Sequence, residues 1–356
     1  MTLPVLRRIR DLVIQGAVLV GEQPLDSPSL ADDEKELKRV ADQLWGIGPA
    51  AAKQGHEVGK GRVYTDMSPN EALTKLGVER DWEYSKPEAD AELMLVHRKL
   101  DDGDVYFVDN RQDRAENVNA TFRVEGKAPE LWDPATGTTQ PTSFGSTADG
   151  RTTVPLKLDP YGTTFVVFRA PAAKNTLELP APKETLIDGL DLALNRDWSV
   201  SFQPGKGIPE LIGFDHLVSW TELAIPQSDE ALKYYSGTAT YTKTIEIPAD
   251  DIAQGAHLWL DLGDVRELAD VKVNDVDLGV LWKTPYKVDV TGAIKPGENR
   301  VEIKVTNLWV NRMIGDQQPW AMKKYAFADF MPYRADSPLL PSGLLGPVHL
   351  ISETVP

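Results

Sequence analysis

The sequence contains no cysteine and only five histidines among its 356 residues. The absence of cysteine excludes disulfide bridges, thiolate metal sites and a cysteine nucleophile, and it leaves the redox compartment undetermined. The histidines are scattered and lack the His-x-x-x-His spacing of a helical zinc site. No apolar run is long enough to span a bilayer, and no Gly-x-Ser-x-Gly elbow supports a serine hydrolase.

Positive charge is also scarce, since 38 Lys and Arg residues face 54 Asp and Glu residues and the formal net charge is -16. Nucleic acids and anionic membranes are bound by clustered cations. We therefore expect no nucleic-acid or membrane partner, and neutral, small or cationic ligands are favoured. The length and the 41% hydrophobic content are typical of a globular protein of two or three domains.

Residues 1–85 alternate helical and strand patterns. Gly16 is placed to end a first helix, and Ala17 to Val20 then follow as a buried strand, an interpretation that we prefer to a short signal peptide. The apolar residues predicted to share one face of that helix are Val5, Leu6, Ile9, Leu12 and Val13. A second helix ends at Gly46, and Ser68-Pro69-Asn70-Glu71 has the residues of a capping box that starts a third.

Only two strands are evident in this region, which is too little sheet for a self-sufficient α/β domain. We interpret residues 1–85 as a partial α/β region. A strand with too few neighbours presents unpaired N–H and C=O groups to another chain. We therefore predict that this region either self-associates through its open edge or is poorly ordered.

From Glu92 onward the pattern changes to short strands. Leu93 to His97 and Val105 to Val108 flank an Asp102-Gly103 turn, which is typical of a hairpin. Further strand patterns continue to Phe168, so residues 86–172 are predicted to form a β-sandwich. The aperiodic, proline-containing stretch from Ala170 to Lys183 indicates an extended linker and a domain boundary.

Residues 184–356 form the last predicted domain. Its apolar residues alternate at Leu258, Leu260 and Leu262, at Val271 and Val273, at Tyr286, Val288 and Val290, and at Val301, Ile303 and Val305. This alternation predicts antiparallel strands with one buried face, in a second β-sandwich. The tail, at 307–319 and 325–346, lacks periodicity and is predicted to form long loops, where recognition usually resides.

The candidate sugar-binding residues concentrate in this domain. They are Trp282, Asn307, Trp309, Asn311, Arg312 and Asp316, with Trp320 and Tyr333 adding aromatic faces. Sugar rings have apolar C–H faces and equatorial hydroxyls, which suit aromatic walls with a few placed polar groups. The open alternative is that Trp282 and Trp309 fill the sandwich core while Asn311 and Arg312 pin the tail.

Acidic residues surround the same strands, at Asp261, Asp264, Glu267, Asp270, Asp275, Asp277 and Asp289. They are candidates for a catalytic pair or for calcium ligands, but a chain with 54 carboxylates also places many near turns to solvate them. Sequence cannot give the separation that identifies a glycosidase pair. The catalytic residues therefore stay unassigned, with Glu222, Glu267 and Asp270 as weak candidates.

Several stretches resemble known families. The stretch "LWLDLGDVRELADVKVNDVDLGVLWKTPYKVDVTGAIKPGENRVEIKVTN" resembles the galactose-binding-like domain of family 2 glycoside hydrolases. The segments "LWVNRMIGDQQP" and "PSGLLGPVHL" resemble the C-terminal end of glycoside hydrolase family 106, the α-L-rhamnosidases. So do "LPVLRRIRDLVIQGAVLVGEQPLDSPSL", "VHRKLDDGDVYFVDNR" and "PELWDPATG", so the resemblance covers nearly the whole chain.

The resemblance implies a mainly β, multidomain, carbohydrate-active protein: a glutamine-amidotransferase-like partial α/β region, a β-sandwich and a galactose-binding-like jelly-roll. Family 106 enzymes carry an N-terminal barrel with the catalytic carboxylates and a calcium site. This sequence resembles the part after that barrel, so no catalytic residue or calcium ligand can be carried over. No cofactor is otherwise predicted, and the expected partner is carbohydrate, for example a rhamnose-containing glycan.

The expected function is therefore that of an accessory, sugar-binding part of an α-L-rhamnosidase-like glycoside hydrolase. Two alternatives stay open. One is a compact glycoside hydrolase that uses carboxylates from the sandwich loops. The other is a structural module that packs on a catalytic barrel. The family resemblance also implies a periplasmic or secreted origin.

Overall fold

The computed structural model describes residues 1–46, 55–187, 190–206, 208–223, 229–252 and 255–354. The chain divides into two compact units, Met1–Glu83 and Tyr84–Pro356. Among the helices in these ranges, none is long and apolar enough to cross a membrane.

The first unit is an α/β region. Its elements are α1 (Leu3–Gln15), β1 (Val18–Val20), α2 (Glu34–Trp45), β2 (His56–Val58), β3 (Gly61–Tyr64) and α3 (Pro69–Lys75). The three predicted helices are confirmed, and both hydrogen bonds of the Ser68–Glu71 capping box are present. Gly16 ends α1 at a φ of 124°, in a region of backbone conformation that favours glycine. Residues of α1, α2 and β3 share a small apolar core.

Two details predicted for this unit are wrong. In α1, Leu6 and Val13 are buried but Val5 and Leu12 are exposed, because about 100° per residue turns the latter pair away from the core. The strand β1 is not buried, since Val18 is 39% exposed. It lies at the edge of a three-stranded sheet of order β1-β3-β2 and is parallel to β3.

The next part of the chain forms two five-stranded sheets, with strand orders β13-β10-β11-β7-β4 and β5-β6-β12-β8-β9. The strands are β4 (Trp82–Tyr84), β5 (Leu93–Lys99), β6 (Asp104–Asn110), β7 (Glu116–Phe122), β8 (Lys127–Trp132), β9 (Thr139–Pro141), β10 (Phe144–Ser146), β11 (Thr152–Leu158), β12 (Thr163–Pro171) and β13 (Thr176–Leu177). The predicted hairpin is the pair β5 and β6. The predicted linker is only partly extended coil, because β13 lies within it and pairs with β10.

Aromatic rings fill the core of this first sandwich. The ring of Phe122 lies 4.8 Å from that of Tyr106 and 5.5 Å from that of Phe168, between centroids, and all three side chains are fully buried. Such tilted pairs add to the stabilisation that burial alone provides.

The last part of the chain pairs a six-stranded sheet of order β16-β15-β17-β23-β20-β21 with a four-stranded sheet of order β14-β25-β18-β22 and a small β19-β24 ribbon. The strands are β14 (Lys183–Leu186), β15 (Trp198–Phe202), β16 (Leu211–Phe214), β17 (Thr238–Ile247), β18 (His257–Asp261), β19 (Asp264–Arg266), β20 (Leu268–Val273), β21 (Val276–Leu281), β22 (Lys287–Asp289), β23 (Gly297–Thr306), β24 (Gly343–Gly346) and β25 (His349–Thr354). Short helices are α4 (Leu190–Asn195), α5 (Asp229–Lys233) and α6 (Val310–Gly315).

The alternation predicted for this second sandwich is confirmed. Leu258 and Leu260 of β18, Val271 of β20 and Ile303 of β23 are buried in one shared core. The predicted turn after β20 places Asn274 at a φ of 49°, which asparagine accepts more readily than most residues. The tail is less irregular than predicted, because α6 and β24 both fall within it.

A buried hydroxyl joins the tail to the core. Tyr241 of β17 accepts hydrogen bonds on its Oη from the indole of Trp220, at 2.6 Å, and from the backbone N–H of Leu344 in β24, at 3.2 Å. Burial raises the pKa of Tyr241, which keeps this hydroxyl neutral. Gly343 has a φ of 100°, and a Cβ there would lie 2.4 Å from Trp220 Nε1, so a larger residue does not fit.

Candidate functional site

The structure separates the six predicted sugar-binding residues into two classes. Trp282 and Trp309 are 62% and 60% exposed, so the alternative in which they fill the core is wrong. The other four lie close together and are buried: Asn307, Asn311, Arg312 and Asp316. Their polar groups are used inside the protein, as the alternative for Asn311 and Arg312 expected.

The two asparagines meet at one serine hydroxyl. Ser342 Oγ lies 3.1 Å from Asn307 Nδ2 and 3.0 Å from Asn311 Nδ2. Asn311 also donates to the carbonyl of Leu340 at 2.7 Å and accepts from its N–H at 2.8 Å. Asn307 in turn donates to the carbonyl of Tyr235, which lies just before β17. These bonds hold the end of the tail against the beginning of α6.

A buried ion pair holds the other end of the loop. Arg312 Nε donates to Asp316 Oδ1 at 2.9 Å, and the Asp316 side chain has no exposed surface. The second oxygen, Asp316 Oδ2, accepts from the backbone N–H groups of Tyr325 at 2.9 Å and Ala326 at 2.7 Å. The Arg312 guanidinium also lies 5.0 Å from the ring centroid of Tyr325. One carboxylate therefore anchors both α6 and the loop that follows it.

The loop so anchored presents apolar side chains to solvent. We call this the loop surface, made of Leu308, Trp309, Trp320, Met322, Phe327 and Phe330, each at least 48% exposed. Trp320 is supported by Tyr234, with 5.8 Å between ring centroids. Exposed apolar side chains of this size are candidates for contact with a ligand or a partner.

Trp282 lies apart from the buried network, in the connection after β21. There it lines a cavity of about 760 Å³ between the ends of the two sandwiches. We call this cavity the Trp282 groove. Its walls comprise Asp133, Ala135, Thr136, Thr138 and Asp159 from the first sandwich, and Trp259, 278–283, Pro285 and 287–289 from the second.

Several polar groups in the groove walls were not predicted as site residues. Lys283 lies beside Trp282, and among the described residues no carboxylate is within ion-pair distance of it. Trp259 Nε1 is buried and has no hydrogen-bond partner in the part of the chain that the structure describes. Lys287 lies 5.0 Å from the ring centroid of Trp259 and binds Glu184 at 2.8 Å, which lowers the pKa of Glu184. The sequence predicted the turn that begins at Asp133. It did not predict that this turn and Trp282 line the same groove.

The three catalytic candidates do not converge. Glu222 is exposed in a turn, and Asp270 points away from the core and lies 3.5 Å from Lys304. Glu267 lines a second cavity, of about 610 Å³, which also contains Asp264, Arg266 and Trp282. Within this cavity Arg266 binds Asp264 at 2.8 Å.

A calcium site finds no support in the geometry. Among the described residues, no group of three or more Asp, Glu, His or Cys side chains is arranged to hold a metal ion. Calcium takes six to eight oxygen ligands, several of them carboxylates. The acidic side chains around β18 to β22 therefore do not fit a calcium ion, and no chemical step is assigned to one.

Two family models match the chain. Residues 1–146 match the model described as Glyco_hydro_106, alpha-L-rhamnosidase. Residues 220–331 match the model described as Glyco_hydro_2_N2, glycosyl hydrolase 2 galactose-binding domain-like. Both resemblances predicted from the sequence are therefore confirmed, and the second match includes Trp282 and the loop surface.

Known proteins agree with these matches. The structure of a rhamnosidase from Novosphingobium sp. PP1Y has a TM-score of 0.81 and 38% identity, and the match covers 99% of this chain and 32% of that chain. A putative beta-glucuronidase from Formosa agariphila is 22% identical over 588 residues, 97% of this chain and 49% of its own length. A beta-glucuronidase from the same organism is 31% identical over 97 residues, 26% of this chain and 10% of its own. The chain thus spans about half or less of the length of these relatives. The structural match confirms the predicted multidomain, mainly β fold.

Replacing Asp316 with Asn should destabilise the second sandwich by about 3–5 kcal/mol, because the substitution leaves Arg312 buried without a counter-charge. Urea unfolding followed by near-UV circular dichroism measures this effect. Asp270→Asn is the matched control, since its pair with Lys304 is solvent-exposed and should contribute about 0–1 kcal/mol. Equal unfolding midpoints for the two variants would show that the Arg312–Asp316 pair does not hold the loop.

Proposed function

Because this chain is a relative of the α-L-rhamnosidases of glycoside hydrolase family 106 and carries a galactose-binding-like domain of the family 2 type, we propose that it is the accessory, sugar-binding part of such an enzyme. In this proposal the chain binds carbohydrate, of which a rhamnose-containing glycan is the first choice, and does not itself cleave glycosidic bonds.

The observation that supports this proposal most is the exposure of the indoles on an anchored loop. Trp309 directly precedes α6 and Trp320 packs on Tyr234, and both side chains keep about half or more of their surface accessible. Rigidly held aromatic rings bind ligands with little loss of conformational entropy. Asn307, Asn311, Arg312 and Asp316 then act as positioning residues, which hold the loop rather than contact the sugar.

The compact glycoside hydrolase is the second candidate, and one observation favours it. Glu267 and Asp264 line the same cavity, beside Arg266 and Trp282. A glycosidase needs two carboxyl groups on either side of one glycosidic bond. However, Asp264 is already engaged by Arg266 at 2.8 Å, so its carboxylate is not free to flank a glycosidic bond opposite Glu267.

A structural role is the third candidate. The loop surface is strongly apolar at Met322, Phe327 and Phe330, which are at least 78% exposed. Such a surface also suits packing against a catalytic barrel. Substitution of a single aromatic residue distinguishes sugar binding from a structural role. Stacking on a sugar needs an aromatic ring, whereas packing against a barrel needs only apolar area.

Glycan binding should weaken by about tenfold in Trp309→Ala, because the stacking face is lost, while the fold is retained. Calorimetric titration with methyl α-L-rhamnoside and a rhamnose-containing oligosaccharide measures the change. Leu308→Ala, which removes a neighbouring exposed but non-aromatic side chain, should bind like the wild type. Equal losses in both variants, or no loss in either, would argue against sugar stacking at this surface.

Hydrolysis of p-nitrophenyl α-L-rhamnoside by the purified chain should not exceed the rate without protein, because the cavity that Glu267 lines contains neither Glu222 nor Asp270 as a second catalytic carboxyl group. A panel of other aryl glycosides extends the assay. A rate that disappears in a folded Glu267→Gln variant would establish the compact glycosidase instead. A rate that survives this change would reject both the accessory proposal and Glu267.

Self-association through the N-terminal unit is part of the proposal. The outer edge of β1 is open in the described chain, and Val18 on this strand is exposed. Light scattering at micromolar concentration should therefore show a dimer or larger species. Val18→Lys, which places a charge on the edge strand, should return the protein to a monomer. A wild-type monomer would exclude association through this edge.

A further inference from the structure

The Trp282 groove is a second place where a sugar could bind. It is formed by different residues from those of the loop surface. Its volume of about 760 Å³ falls within the range of about 300–1,000 Å³ that small-molecule sites occupy. Trp282 also lines the neighbouring cavity of about 610 Å³, so its ring stands where the two cavities meet.

The groove combines an aromatic face with both kinds of hydrogen-bonding group. Asp133 and Asp159 supply carboxylate acceptors from the first sandwich, and Lys283 supplies an ammonium donor from the second. The Trp259 indole lines the groove as well, but its Nε1 is buried and presents no surface to a ligand. Sugar hydroxyls can both donate to the carboxylates and accept from the Lys283 ammonium.

The charges in the groove indicate which class of sugar fits. Five charged side chains line it: Asp133, Asp159, Asp289, Lys283 and Lys287. Lys287 is paired with Glu184 at 2.8 Å, and Asp289 lies 3.6 Å from His257, so among the described residues Asp133, Asp159 and Lys283 are the groove's charged groups without an ion pair. A uronic acid would bring a further carboxylate into this setting, and like charges in close contact are unfavourable. Neutral sugars avoid that cost while keeping every hydrogen bond.

We propose that the Trp282 groove is a glycan-binding site that selects neutral sugars and disfavours uronic acids. The inference rests on the proposed function only in that the chain binds carbohydrate. The groove is a different site from the loop surface and is formed by both sandwiches. Its ligand class, neutral sugars, is not the one that the names of the β-glucuronidase relatives suggest. In the bound state the sugar ring stacks on Trp282, and its hydroxyls bond to Asp159, Asp133 and Lys283.

The test uses the full chain and three probes: methyl α-L-rhamnoside, methyl β-D-glucoside and methyl β-D-glucuronide. The last two differ in their C6 group, so comparing them isolates the effect of a carboxylate. The wild type should bind the neutral glycosides about tenfold more tightly than the glucuronide. Asp159→Asn, an exposed substitution, should narrow this difference because it removes one repelling charge.

Two tryptophan variants separate the groove from the loop surface. Trp282→Ala should lose the groove site in calorimetry, whereas Trp309→Ala should keep it. Binding that is unchanged in Trp282→Ala but lost in Trp309→Ala would overturn the groove and leave the proposed function standing. Tighter binding of the glucuronide than of the glucoside would overturn the selectivity for neutral sugars. No binding of any probe by the wild type would overturn both the groove and the sugar-binding function.

Discussion

The buried polar network around α6 is the constraint on which the rest of the C-terminal region depends. A loop that runs from Asp316 to Ser342 with no helix or strand has few backbone bonds of its own to hold it. Its two ends are fixed instead by side chains, with Arg312 and Asp316 at one end and Asn307 and Asn311 at the other. Because each of these groups is buried and hydrogen-bonded, the two ends of the loop are held against the sandwich.

Because of this constraint, the polar and aromatic residues have different roles. The polar side chains that would suit a sugar are hydrogen-bonded inside the protein, so they set the position of the loop. The indoles of Trp309 and Trp320 stay on its outside and are free to stack. In the Trp282 groove the arrangement is different, because there the carboxylates and the ammonium line the cavity with the aromatic ring. The groove is therefore the better source of hydrogen bonds to a ligand, and the loop surface the better source of apolar contact.

Much of the fold could be predicted, because the spacing of apolar residues and the residues of turns depend on only a few neighbouring positions in the sequence. The alternation at Leu258 and Leu260 gave the right buried face, and Gly16 and Ser68 marked helix ends correctly. The site was harder. Side chains such as Asn311 suit both a ligand and a buried network, and only burial separates these uses. The groove joins residues more than a hundred positions apart, so Asp159 and Trp282 carry no shared signal in the sequence.

The protein is proposed to bind sugar without cleaving it. One nuclear magnetic resonance titration tests the binding and the absence of cleavage in the same sample. A rhamnose-containing oligosaccharide is added to the ¹⁵N-labelled protein, while the indole N–H signals and the anomeric protons of the sugar are followed together. The signals of Trp282 and Trp309 should shift and saturate, with no new anomeric signal over days. The appearance of free reducing sugar, or indole signals that do not move at all, would show that the protein does not act by binding sugar without cleavage.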